Sequence, residues 1–171
     1  MKNKAFTLIE LLVAILIIGI LAAIAFAQYN KVVEKSNATQ ALTLLQAVYQ
    51  SATRYELSTG NWPSSLEVLD IDIPPDFKGD GEWEVVLESS VAADISSAGV
   101  LRKKGKYTGT GFTKSRKHQY SMIPKETNLC FENQVNKPIF NGAKGSYCNK
   151  IFDGKPKYVG EKNWVNIWAL P

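Results

Sequence analysis

An α+β chain is predicted: one long N-terminal helix, then a head built on a small antiparallel sheet. Three observations point there. An apolar run of about 20 residues leads into Gln28–Leu57, which has neither proline nor glycine. Short runs of β-favourable residues follow it. Two cysteines, Cys130 and Cys148, stand in the last third, in a chain of 171 residues that is 45% apolar and 21% charged. That composition supports one modest domain plus an N-terminal segment. The net charge of +4 is mild, and the runs Arg102-Lys103-Lys104 and Lys114–Lys117 read as solvated loops. Nucleic acid as a partner is possible on charge alone but is not supported by any pattern.

The N-terminal segment comes first. No residue from Leu11 to Ala27 is charged, and Lys2 and Lys4 stand before the run, which holds its start on the cytoplasmic side. An ordinary secretory signal would be cut after Ala27, within Ala25-Phe26-Ala27, and would leave a soluble secreted binding protein starting at Gln28. The apolar run is longer than such signals need. An uncleaved anchor leaves Glu10 unexplained, at a cost of up to about 3 kcal/mol for a carboxylate in lipid.

Beyond the apolar run, Ala38, Ala41, Leu42, Leu45, Val48, Ala52 and Tyr55 recur at spacings of three and four. One face of this helix is therefore packed, and Lys31, Glu34, Lys35, Asn37 and Gln40 form the other. From Phe6 to Leu57 the helix would run about 78 Å at 1.5 Å per residue. Ser58-Thr59-Gly60 is the stop, with Gly60 as the C-cap and Pro63 beyond it.

Asn61–Phe77 reads as a loop with one helical turn, Ser64–Leu69, ended by Pro74-Pro75. Strand candidates are Trp83–Leu87, Gln119–Ile123, Leu129–Glu132 and Trp164–Ala169, an antiparallel sheet of about four strands. In the last, Trp164, Asn166 and Trp168 alternate with Val165, Ile167 and Ala169. Ser89–Phe112 is rich in Ser, Gly and Lys and takes no assignment, and GKYTGTG at 105–111 reads as loop. The even cysteine count behind an export-type segment suggests one disulfide; two unrelated buried thiols is the alternative. A bridge would enclose 17 residues and contribute about 3 kcal/mol.

No catalytic constellation is present in the sequence. His118 is the one histidine, and G-x-S-x-G, P-loop and G-x-G-x-x-G patterns are absent. No cofactor is expected. Asp76–Glu82 carries alternating carboxylates and two glycines but lacks EF-hand spacing, so it reads as a solvated turn rather than a calcium loop.

The run Phe6-Thr7-Leu8-Ile9-Glu10-Leu11-Leu12 resembles the class III signal of type IV pilins and the related type II secretion pseudopilins, specifically over residues 4 to about 30. The resemblance implies a leader of residues 1–5, a cut between Ala5 and Phe6 by a prepilin peptidase, and methylation of the new Phe6 amine. It implies a transmembrane or filament-core helix over 6–29, an amphipathic half over 30–58 packed on the head, and a globular head over 59–171. Glu10, with Thr7 beside it, would engage the amine of a neighbouring identical subunit, with a carboxylate snorkelling to lipid headgroups as the alternative. The expected partners are the peptidase, identical subunits, membrane lipid before assembly and an inner-membrane assembly platform. The precursor would sit in the inner membrane with its head outside the cytoplasm, then move to a surface pilus or a periplasmic pseudopilus. By position, Cys130 and Cys148 resemble the pair that bounds the C-terminal region of type IVa pilins, which favours a pilin over a pseudopilin or minor pilin. Two departures stand out: Ala5 replaces the usual Gly before the cut, and Ala27 replaces a common Pro, so the helix should run on unbroken.

Overall fold

The computed structural model describes residues 7–90, 95–105, 107–115, 127–133, 147–162 and 165–171. The chain divides into two compact units, residues 1–37 and 38–171. Helix α1 runs unbroken over Leu8–Thr59 and passes through Ala27 as helix. Its end matches the sequence signal: Gly60 takes φ +78°, and its N–H bonds the Glu56 carbonyl at 2.8 Å. A left-handed residue closes a helix end at least cost when it has no Cβ.

In the second unit the packed stripe of α1 is Ala38, Ala41, Leu45, Val48, Tyr49 and Ala52, all buried. Leu42 and Tyr55 are only half-buried. The loop after the helix holds two short 3₁₀ turns, Leu66–Val68 and Pro75–Phe77, rather than one turn ended by the prolines. Pro75 starts the second turn, because its fixed φ suits a first helical position where no N–H is needed.

Among the described residues the sheet has six strands, not about four: β1 (Trp83–Ser90), β2 (Ile95–Arg102), β3 (Thr110–Ser115), β4 (Asn128–Asn133), β5 (Lys157–Lys162) and β6 (Val165–Ala169). A short helix, α2, lies between β4 and β5 at Tyr147–Ile151. The spatial order is β1-β2-β3-β4-β6-β5 and every pairing is antiparallel. The unassigned stretch therefore contains β2 and the start of β3. β2 reads as polar because Ser96, Ser97, Ala98 and Gly99 are small, yet it is hydrogen-bonded on both sides. GKYTGTG is a turn only to Gly109, since Thr110 and Gly111 open β3. Gln119–Ile123 and Trp164 lie outside the described residues.

One register row crosses the sheet as Val85, Val100, Phe112, Cys130 and Trp168. All five belong to one core with the packed stripe of α1. The adjacent row, Thr110, Glu132 and Asn166, is polar but equally buried. The other sheet face is not bare: Leu129 and Ile167 are buried in a second small cluster with Val159 and Ala169 packed on it. Alternation along β6 thus separates two covered faces. Gly111 has a specific reason to be glycine. A Cβ there would lie 2.5 Å from both Cζ of Phe131, its cross-strand partner, and the Val100 carbonyl oxygen.

The basic run at 102–104 departs from the solvated-loop expectation. Arg102 is buried, its guanidinium 5.3 Å from the Trp83 ring centre and 5.6 Å from that of Tyr107. It is ion-paired with Glu82. Two aromatic faces and a carboxylate together replace the water the cation has lost.

Candidate functional site

Ala5 and Phe6 lie outside the described residues. The site begins for structural purposes at Thr7, where α1 opens. The first backbone N–H groups of a helix have no partner within it. Here Thr7 and Glu10 supply them reciprocally. The Thr7 N–H donates to Glu10 Oε2 at 2.8 Å, the Thr7 hydroxyl donates to the same oxygen at 2.7 Å, and the Glu10 N–H reaches Thr7 Oγ1 at 3.4 Å. This is the reciprocal T-x-x-E arrangement of a capping box. The carboxylate also sits in the first turn, at the positive end of the helix dipole. The sequence carried the signal openly, a Thr followed three residues later by Glu at the head of an apolar run.

Behind the cap the helix is apolar on every side and exposed: Leu8 is 77% accessible, Leu16 62% and Phe26 73%. By length and composition α1 can cross a membrane. A helix greasy all round requires lipid or other helices around it. The carboxylate at its tip is held by the N–H and hydroxyl of Thr7, the first described residue.

The cysteine pair belongs to the second unit. Cys130 of β4 and Cys148 of α2 are joined as a disulfide, both fully buried, so the alternative of two unrelated thiols is excluded. Glu132, buried two residues along β4, accepts the Cys148 N–H at 2.5 Å. Bridge and carboxylate together fix the start of α2 onto β4. Sequence reading found the cysteines but not Glu132, which has no local signature.

The loop after α1 is clasped to the helix. The Asp70 carboxylate accepts from the Ser51 hydroxyl at 2.5 Å and from Arg54 Nε and Nη2 at 3.0 and 2.7 Å. These donors, Arg54 first and then Ser51, hold its pKa down to about 2. Around Asp76–Glu82 the carbonyls of Gly79 and Asp80 accept from Lys103 and Lys104, and Glu82 is taken by Arg102. Among the described residues no three His, Cys, Asp or Glu side chains come together as a metal-binding group.

The model for the prokaryotic N-terminal methylation motif matches residues 1–26. A type IV major pilin protein of Neisseria gonorrhoeae is 37% identical over 103 residues, covering 59% of this chain and 57% of the relative. A fimbrial protein of Eikenella corrodens is 43% identical over 107 residues, covering 63% and 65%. A type IV major pilin of Myxococcus xanthus is 48% identical over 48 residues, covering 28% of this chain and 22% of the relative. The chain thus spans at most about two thirds of the length of these curated relatives. No solved structure matches. With the methylation motif at its start, an apolar helix behind the cap, and a disulfide-closed head on an antiparallel sheet, the chain is similar to type IV pilins over about three fifths of its length.

Proposed function

We propose that this chain is the structural subunit of a type IV pilus. A prepilin peptidase cuts between Ala5 and Phe6 and methylates Phe6. The subunit then polymerises with identical copies through its N-terminal helix, after residing in the inner membrane with its head outside the cytoplasm. The work is structural and not catalytic. An assembly platform in the inner membrane lifts each subunit from lipid into a surface fibre.

The observation that carries this reading is the Thr7–Glu10 cap at the tip of an exposed, wholly apolar helix. Moving such a helix from lipid into a bundle gains little hydrophobic free energy, because both surroundings are apolar. Direction must come from packing and from a charge pair. A carboxylate already oriented at the helix start can meet a neighbour's amine with little further loss of freedom.

Two variants separate cap from charge. Glu10→Ala removes both and should give processed protein that yields few filaments. Glu10→Gln retains the oxygen that closes the capping box but has no charge. Filament yield from Glu10→Gln should fall as far as from Glu10→Ala, read by shearing and quantifying fibres. Normal yield from Glu10→Gln would leave the carboxylate as a helix cap only and remove charge pairing from the mechanism. The pseudopilin or minor-pilin reading keeps the same processing; Ala5 before the cut and Ala27 in place of proline are departures from the family pattern, while the cysteine pair favours a pilin. Processed protein confined to membranes would decide for it.

A further inference from the structure

Charge is unevenly divided along this chain. Residues 1–101 hold 6 Lys/Arg and 12 Asp/Glu, while residues 102–171 hold 14 and 4. The fold turns part of that division into geometry. The acidic stretch 61–90, with eight carboxylates and one lysine, forms β1 and the loop leading to it. Among the described residues β1 is one outer strand of the sheet and β5 is the other. With six strands about 4.8 Å apart, the two edges of the head stand about 24 Å from each other.

Several charges at the acidic edge are already satisfied within the head, Asp70 by Arg54, Asp72 by Lys78, Glu82 by Arg102 and Glu84 by Lys103. Glu67, Asp76, Asp80 and Glu88 are exposed and make no ion pair among the described residues. At the far edge Lys155 and Lys157 are exposed at the start of β5, with Lys150 on α2 before them, and they too make no ion pair among the described residues. At physiological ionic strength charges further apart than about 8 Å are screened, so the edges do not compensate one another within one head. A groove of about 480 Å³ lies beside β1, lined by Leu69, Ile73, Phe77 and Val85 together with Glu67, Glu84 and Lys78. Lys78 is paired with Asp72 and Glu84 with Lys103, which leaves Glu67 as the lining carboxylate without an ion pair among the described residues. An apolar lining with the Glu67 carboxylate beside it suits a lysine, which lays its methylene stem on apolar surface and keeps its ammonium at the edge.

We propose that the β5 edge of one copy, through Lys155 and Lys157, docks on the acidic β1 edge and its groove on the next copy. The inference rests on the pilus reading and adds a head-to-head-group contact to the helix contact. Because the two patches differ, the interface is heterologous. Such a contact repeats without closing on itself unless the rotation forms a ring, as a fibre requires. Opposed charges also fix register and repel wrong pairings.

Charge reversal in the full chain tests it, with fibres sheared from cells. Lys155→Glu with Lys157→Glu should lower filament yield roughly tenfold, the effect of about 1.4 kcal/mol per contact. Glu67→Lys with Glu88→Lys should do the same. All four together should restore yield, since the pairing is rebuilt with signs exchanged. All four side chains are exposed, and an unchanged melting temperature of the variants shows that the head still folds. Yield indifferent to both reversals, or no recovery in the fourfold variant, overturns the proposal while leaving the pilus reading intact. So does a lysine variant that makes fibres normally but loses binding to duplex DNA, which would assign the basic edge to an anionic partner. A processed parent chain that never forms fibres overturns the pilus reading and this one together.

Discussion

Single residues here do work that their type alone does not announce. Glu10 is a cost in any plain membrane anchor, yet beside Thr7 it satisfies the open end of its own helix with bonds of 2.7 and 2.8 Å. Arg102 sits in a basic run but is buried between two aromatic rings. Gly111 gives the sharpest prediction at this scale. Replacing it with Ala puts a methyl 2.5 Å from Phe131 and from the Val100 carbonyl, in the middle of the sheet. Overpacking of that kind costs about 1–3 kcal/mol. Gly111→Ala should lower the melting temperature of the head by several degrees, and an unchanged melt would mean that both Phe131 and the Val100 backbone give way freely.

Elements are held together by a few contacts between segments distant in sequence. The loop that follows α1 is tied back to it at Asp70. This carboxylate has its folded pKa lowered from 3.8 to about 2 by Arg54 and Ser51. A depressed carboxylate contributes stability that is present above its unfolded value and is lost as pH falls through the folded one. The head should therefore lose stability between about pH 4 and pH 2, and Asp70→Asn should flatten that part of a melting-temperature profile. The exposed position of the pair keeps the effect small and sensitive to salt. A profile identical in the variant would show that other groups govern the acid limb. Legibility in the sequence follows the same division. The helix, its stop at Gly60, and the strands around Trp83, Cys130 and Ile167 were readable because period and caps are local signals. β2, β3 and β5 were not, since ISSAGVLR, TGFTKS and KYVGEK owe their strand state to neighbours on either side or to one edge pairing. The capping box is legible as Thr7 followed three residues later by Glu10 at the head of an apolar run, but the same pattern also reads as a charge in a membrane helix. The Ser51–Arg54–Asp70 clasp joins positions 16 and 19 residues apart and leaves no local trace.

At the scale of the whole chain two surfaces require company. Among the described residues the N-terminal unit presents an exposed apolar helix, and the head presents opposite charge at the two edges of one sheet. On the proposed reading the first is lipid-compatible before assembly and bundle-compatible after it, and the second would favour one orientation of neighbouring heads. On that reading the first also needs the leader removed, residues 1–5 with their two lysines, so that Glu10 can meet an amine. Processing is therefore the step on which the account depends. N-terminal sequencing with intact mass, made on fibres sheared from the protein's own cells, tests it most directly. The account predicts a chain that begins at Phe6, carries one methyl on its amine, and is recovered in abundant fibres. A chain that begins at Gln28 and is found in solution would contradict it.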